Sequence, residues 1–139
     1  TMARLREITP HSLQIGIRSM SVEEAQRVQR ENLALFSMHQ FRKGDLDLSA
    51  ELARLPDSLF ITVDVDVFDW SVIASTGTPE PGGMGWYEAL DLLEVVFRTK
   101  TVIGFDVVEL AYRDHDANSP FATAKLIYKM IGMKYAKKM

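Results

Sequence analysis

Two aspartates one residue apart, Asp64 and Asp66, close the apolar run Phe60-Ile61-Thr62-Val63-Asp64-Val65-Asp66-Val67-Phe68-Asp69. If the run is a strand throughout, its side chains alternate. Both carboxylates then point to one side, and Val63, Val65 and Val67 to the other. Like charges on neighbouring same-face positions of an apolar, central strand repel, and a bound cation or a shared proton relieves them. A metal ion is the simplest remedy. The same spacing also occurs where acids end a strand, cap a helix or face solvent, so taken alone it leaves both roles open. Asp69, just beyond the pair, suits a part in orienting or capping the next loop better than direct contact with an ion.

The elements that must hold these acids follow from patterning. The run leads into the long turn Ser75-Thr76-Gly77-Thr78-Pro79-Glu80-Pro81-Gly82-Gly83. This is the arrangement of an α/β sheet whose carboxyl edge carries a structured loop, where ligands of open sheets bind. Gly82, Gly83 and Gly85 lack the Gly-Lys-Ser/Thr ending of a phosphate-binding loop and read as turn chemistry after Pro79 and Pro81. Upstream, residues 13–18 alternate as a strand, and Ser21-Val22-Glu23-Glu24 has the form of a capping box that opens a helix. Residues 33–38 read as a second buried strand, and residues 49–55 as a short helix stopped by Pro56. Downstream, residues 86–98 carry apolar side chains on more than one face, as a helix packed on a sheet does. Residues 101–110 form another nearly continuous apolar strand. Ser119-Pro120 then supplies an N-cap and an N1 proline for a last helix running to about Lys134. Strands alternating with helices predict a parallel α/β sheet with helices on both faces.

At 139 residues and 47% apolar composition, the chain fits one domain, residues 1–139, with a real core. Sixteen basic residues against 19 acidic ones give a net charge of -3, which implies no general attraction to nucleic acid or anionic membrane. The basic cluster Lys134, Lys137 and Lys138 follows a helix, where cations suit the negative end of the dipole. No apolar run is long enough to span a bilayer. The absence of cysteine removes disulfides and thiolate ligands and agrees with a reducing cytoplasm. Any metal is therefore held by oxygen or histidine. His11 and His39 fall at element boundaries, and His115, within Arg113-Asp114-His115-Asp116, reads as a loop residue that also lies near the candidate chemistry.

Three segments together, Val63-Asp64-Val65-Asp66-Val67-Phe68-Asp69, Thr76-Gly77-Thr78-Pro79-Glu80-Pro81-Gly82-Gly83 and Gly104-Phe105-Asp106-Val107-Val108-Glu109, closely resemble the ureohydrolase family of arginases and agmatinases. Gln14-Ile15-Gly16-Ile17-Arg18-Ser19 also looks like a family strand. The resemblance covers nearly the whole chain, matched to the carboxyl-terminal part of a family member. It implies an arginase-like three-layer sandwich, of which this is the carboxyl-terminal part. It also implies hydrolysis of a guanidino C–N bond with two manganese ions that activate water. Asp64 and Asp66 match the aspartates of the family's last metal motif, and Glu109 matches the glutamate that engages the substrate guanidinium. Hard carboxylate oxygens suit manganese, and a carboxylate grips a guanidinium through paired charge-assisted bonds. The resemblance assigns no residue of this chain as catalytic.

Glu80-Pro81-Gly82-Gly83 is closest in wording to agmatinase. The implied substrate is agmatine or arginine, and the implied setting is a cytoplasmic homo-oligomer. The sequence departs from the family at Trp70, where proline is usual, and at Ala111-Tyr112-Arg113 after the glutamate. The family's Gly-Gly-Asp-His and Asp-Ala-His-x-Asp motifs are absent from the 139 residues, which by themselves are expected to be inactive and to need the missing amino-terminal part. The strands at 13–18 and 59–67 are not neighbours in the family sheet, so these residues alone are expected to pair them directly or to exchange them between copies. One alternative is a magnesium-dependent haloacid-dehalogenase-like phosphatase, with Lys100, Asp114 and Asp116 in supporting roles. The other is a non-catalytic fragment or subunit.

Overall fold

Local signals in residues 1–56 give short elements that are capped individually. The computed structural model describes residues 2–136, in two compact units at residues 1–56 and 57–139. The first unit begins with α1 (Met2–Ile8), which sequence patterning did not announce, and β1 (Gln14–Ile17). Ser21 opens α2 (Val22–Arg30) through a complete capping box. Its hydroxyl accepts from Glu24 N at 3.2 Å, and its own N–H donates to Glu24 Oε2 at 2.9 Å. β2 (Leu35–Ser37) covers only part of the strand expected at 33–38. Ser37 ends it by starting α3 (Met38–Lys43) with a second capping box, in which Gln40 plays the part of the glutamate. Gly44, at φ 78°, closes α3 in the left-handed conformation that glycine adopts without steric cost. Asp47 caps α4 (Leu48–Ala53), the short helix expected before Pro56. β1 and β2 pair in parallel, with Gln14 opposite Leu35 and Ile15 opposite Phe36.

The second unit holds the motifs. β3 (Ser58–Asp64) pairs in parallel with β4 (Thr101–Val108), and α5 (Trp86–Thr99) forms the crossover between them. β3 therefore pairs with β4, and β1 with β2. α5 and α6 (Asn118–Tyr135) pack on each other and on β4. Their core includes Leu93, Val96, Phe97, Val102, Leu126 and Met130, all buried. Phe97 meets Phe105 edge-on at 6.2 Å, a geometry that aromatic quadrupoles favour.

β3 is not buried on both sides as expected of a central strand. Its side chains alternate between exposed and half-buried, and Phe60 remains 57% exposed. The Phe60 ring lies over its cross-strand partner Gly104, where a Cβ would fall 2.9 Å from Phe60 Cε2. Lys134 does not simply face the helix dipole: its ammonium donates to the Val102 carbonyl. Lys137 and Lys138 lie outside the described residues. No helix among the described residues is long and apolar enough to cross a membrane.

Candidate active site

β3 stops at Asp64, which changes the geometry of the acid pair. Residues Val65–Val67 turn into a single 3₁₀ turn, and the Asp66 N–H donates to Asp64 Oδ1 at 3.1 Å. The strand alternation expected to carry both carboxylates to one side therefore ends at the first of them. The pair is positioned instead by Asp64 capping the turn that contains Asp66, an arrangement aspartate favours because its short side chain reaches the backbone two residues on. The turn also buries Val65 completely. The valine is the apolar anchor that fixes where the acids emerge.

The loop after the turn is tied down at both ends. Phe68, buried against Trp86 with ring centroids 6.2 Å apart, bridges to Met84. Met84 N donates to Val67 O at 2.8 Å, and Asp69 N to Met84 O at 2.9 Å. Gly83 makes this closeness possible, since a Cβ there would fall 2.3 Å from the Phe68 carbonyl carbon. Gly82 is needed for a different reason, its φ of 77°. Both observations bear out turn chemistry for the pair. Asp69 Oδ1 accepts from the Ser71 N–H and hydroxyl at 3.1 and 2.8 Å, and its carbonyl accepts from Val72 N and Ile73 N. Its side chain orders the loop.

Glu109 lies one residue beyond β4, with φ at 67°. A non-glycine residue in the left-handed region carries backbone strain, and such positions cluster at functional sites. The Glu109 side chain is exposed, and a Cβ placed on Gly77 would fall 3.9 Å from Glu109 Oε2. The next residue, Thr78, donates its hydroxyl to Asp66 Oδ2 at 2.9 Å. The dipeptide Gly77-Thr78 thus faces the candidate guanidinium acid with the residue that lacks a side chain and hydrogen-bonds a candidate metal acid with the other.

A group that sequence reasoning missed braces this loop. Ser75 and Ser119 are both buried. The Ser75 hydroxyl donates to Asp116 Oδ2 at 2.6 Å, and the Ser119 hydroxyl donates to the same oxygen. Ser119 Oγ in turn accepts from Ala74 N and Ser75 N at 3.0 and 3.1 Å. Asp116 Oδ1 accepts from Asn118 N and Ser119 N at 2.9 and 3.0 Å. Ser119 is therefore not the N-cap of α6, and Pro120 is not its first residue. Asp116 satisfies the opening amides from upstream, so the helix starts at Asn118. The Ser119 hydroxyl above all, then the Ser75 hydroxyl and the Ser119 and Asn118 amides, pull the Asp116 carboxyl down from 3.8 to about 2 against its partial burial. The available signal was an acid three residues before a serine, a spacing that suits capping.

His11, His39 and His115 are exposed. Lys100 lies 3.6 Å from Asp57 at the start of β3, which engages the lysine that a phosphatase reading would need. As donors, Asp64 and Asp66 match a hard divalent cation. They do not enclose one. Among the described residues, no group of three or more His, Asp or Glu side chains is arranged to hold a metal.

Comparison with known proteins agrees with the motifs. The sequence profile of the arginase family matches residues 2–132. The chain is 38% identical over 132 residues to the N(1)-aminopropylagmatine ureohydrolase of Synechocystis sp., covering 94% of this chain and 43% of that protein. It is 31% identical to the agmatinase of Pyrococcus horikoshii, over 94% of this chain and 45% of that one. The structure superposes on the agmatine ureohydrolase of Thermoplasma volcanium with a TM-score of 0.82 at 27% identity, covering 96% of this chain and 46% of the other. Helicobacter pylori arginase has the same fold, with a TM-score of 0.74 at 19% identity over 86% of this chain and 43% of that one. The chain thus spans less than half the length of these relatives.

Proposed function

Because the chain belongs to the arginase family, we propose that it supplies part of a ureohydrolase active site: Asp64 and Asp66 to manganese, and Glu109 to the guanidinium of the substrate. The observation that carries this reading is the dipeptide Gly77-Thr78, whose glycine faces the Glu109 carboxylate and whose threonine hydrogen-bonds Asp66. Recognition and hydrolysis of one guanidinium group need both kinds of acid near each other.

Manganese held there supplies Lewis acidity for water activation and for the leaving group. The chain's own residues do the rest. Thr78 fixes the orientation of the Asp66 carboxylate, and Asp64 holds the turn that presents it. Glu109 offers a planar, charged acceptor to a guanidinium fork. Ligands beyond Asp64 and Asp66 complete the metal site, so the 139 residues alone bind manganese weakly and release no urea.

The relatives' names point to agmatine, or its N(1)-aminopropyl derivative, as the guanidino substrate. Trp70, half exposed, stands where the family usually has proline, and Ala111-Tyr112-Arg113, with Tyr112 71% exposed, where a proline commonly follows the glutamate; these departures alter the loops beside the two motifs and with them the choice of guanidino substrate. The lack of cysteine supports a cytoplasmic setting, and the family resemblance supports assembly with further copies. Among the described residues, Lys100 pairs with Asp57, which gives no support to phosphatase chemistry.

The test is urea release from agmatine and from N(1)-aminopropylagmatine by the whole protein that carries this sequence, with its manganese content measured in parallel. Glu109→Gln should keep the metal and lose turnover by roughly 10²-fold or more, because a neutral amide gives no charge-assisted pair. Asp66→Ala should lose the metal itself. Full turnover in the Glu109→Gln protein would refute the assignment.

A further inference from the structure

Ser119 has no hydrogen-bonding capacity to spare. A serine hydroxyl has one proton and two lone pairs. Here Ala74 N and Ser75 N fill the lone pairs, and the proton goes to Asp116 Oδ2. Asp116 is equally committed, with two hydroxyls on one oxygen and two helix amides on the other. The result is a closed clamp between the first turn of α6 and the backbone of residues 74 and 75. What the clamp grips is the strand-like segment paired with the chain just after Glu109: Ala111 N donates to Ser75 O at 2.9 Å, and Thr76 bridges to Leu110. Arg113 adds a longer bond, 3.4 Å, to Thr76 O.

We propose that Asp116, acting through Ser75 and Ser119, is a positioning residue for the guanidinium-binding acid, because it anchors the segment against which the Glu109–Ala111 backbone is held. The proposal rests on the ureohydrolase reading for what Glu109 binds. Glu109 sits at a φ of 67°, which a residue with a side chain disfavours, so something outside it must hold it there. The pairing of Ala111 with Ser75 and of Leu110 with Thr76 does so from the carboxyl side, and the absence of a side chain at Gly77 leaves room for the Glu109 carboxylate, whose Oε2 would lie 3.9 Å from a Cβ there. All these backbone groups belong to, or directly follow, the segment fixed by the clamp. Releasing it leaves Glu109 able to relax toward ordinary backbone angles, which moves its carboxylate away from the substrate. The turn that presents Asp64 and Asp66 is held by its own hydrogen bond and by the 68–84 bridge, and Thr78, three residues beyond Ser75, links the clamped segment to Asp66.

Two variants test this in the whole protein. Ser75→Ala removes only the loop-side hydroxyl and leaves Asp116 capping α6. Asp116→Asn keeps an oxygen for the helix amides but turns a second donor toward the saturated Ser119 hydroxyl. Each should raise the KM for agmatine by roughly tenfold or more, with manganese content unchanged. Amide exchange at Ala111 should quicken in both. The double variant should be scarcely worse than Asp116→Asn alone, because both changes open one clamp. Folded, metal-loaded variants with parental KM and parental Ala111 exchange would overturn the proposal. Parental turnover in Glu109→Gln would instead refute the underlying assignment of Glu109, whatever the clamp variants do.

Discussion

Thr78 donates its hydroxyl to Asp66 across 2.9 Å, so a residue of the glycine- and proline-rich loop sets the orientation of a carboxylate twelve positions earlier. Partners of this kind fix which oxygen faces an ion. Replacing Thr78 with Val conserves shape and removes the donor. Manganese affinity in the whole protein should fall roughly 10–100-fold, the usual effect of losing such a partner. Calorimetric titration of the metal measures it, and unaltered affinity would show that Thr78 serves the loop alone.

Adjacent glycines should fail for different reasons. A methyl group at Gly83 collides with the Phe68 backbone at 2.3 Å, and neither side can move without breaking the bridge to Met84. Gly83→Ala should cost about 3 kcal/mol, the upper part of the usual range for overpacking. At Gly82 there is open space but a φ of 77°, so Gly82→Ala should cost only about 1 kcal/mol. Urea denaturation of the two variants side by side gives the comparison. Equal losses would contradict it.

Thr76 presents the opposite case. Its hydroxyl is buried without a hydrogen-bond partner, and an unmet polar group costs roughly 1–3 kcal/mol. Thr76→Val keeps the volume and removes the orphan. Stability should be unchanged or should rise by about 1 kcal/mol, seen as a higher Tm. A marked loss would mean that the hydroxyl is hydrogen-bonded in solution.

Asp116 makes stability depend on acid. Its carboxyl titrates lower in the folded chain, at about 2, than its ordinary value of 3.8. The folded state therefore gains from the ionised form. That gain is fully present above the ordinary value and is lost as pH falls through about 2. The gap in Tm between the parent and Asp116→Asn should be widest above about pH 4 and narrow steadily below it. A gap independent of pH across that window would show that the charge is not what the two hydroxyls stabilise.

The legible parts of this molecule are those written in local chemistry. Ser21 and Glu24 spell out a cap that the chain uses, and the apolar runs before Asp64 and Glu109 are strands β3 and β4. The motif match reached the family because it rests on residue types in order, which folding does not rearrange. Geometry was less legible wherever a short-range hydrogen bond overrode periodicity. Asp64 bonds Asp66 N and bends an alternating strand into a turn, and Ser37 caps a helix inside what reads as a strand. Ser119 reads as a cap because the competing acid three residues upstream, Asp116, also suits the position and takes it; what local spacing does not announce is that the Ser75 hydroxyl shares the same carboxylate and that Ser119 Oγ accepts from the amides of residues 74 and 75. Forty-four residues separate those serines along the chain. Periodicity carries no information over that distance.

Glutamate at position 109 sits where the backbone favours glycine or asparagine. With the guanidinium role proposed for Glu109, selection for folding and selection for chemistry pull this codon in opposite directions. In a library randomised at 109 and sorted for solubility or heat resistance, glycine and asparagine should accumulate. In the same library sorted for growth on a guanidine as nitrogen source, glutamate should return. A lineage that had abandoned the reaction would be expected to lose this residue early, well before any buried leucine of α5 or α6. The identity of residue 109 thus serves as a marker of whether a relative of this chain is still under pressure to turn over a substrate.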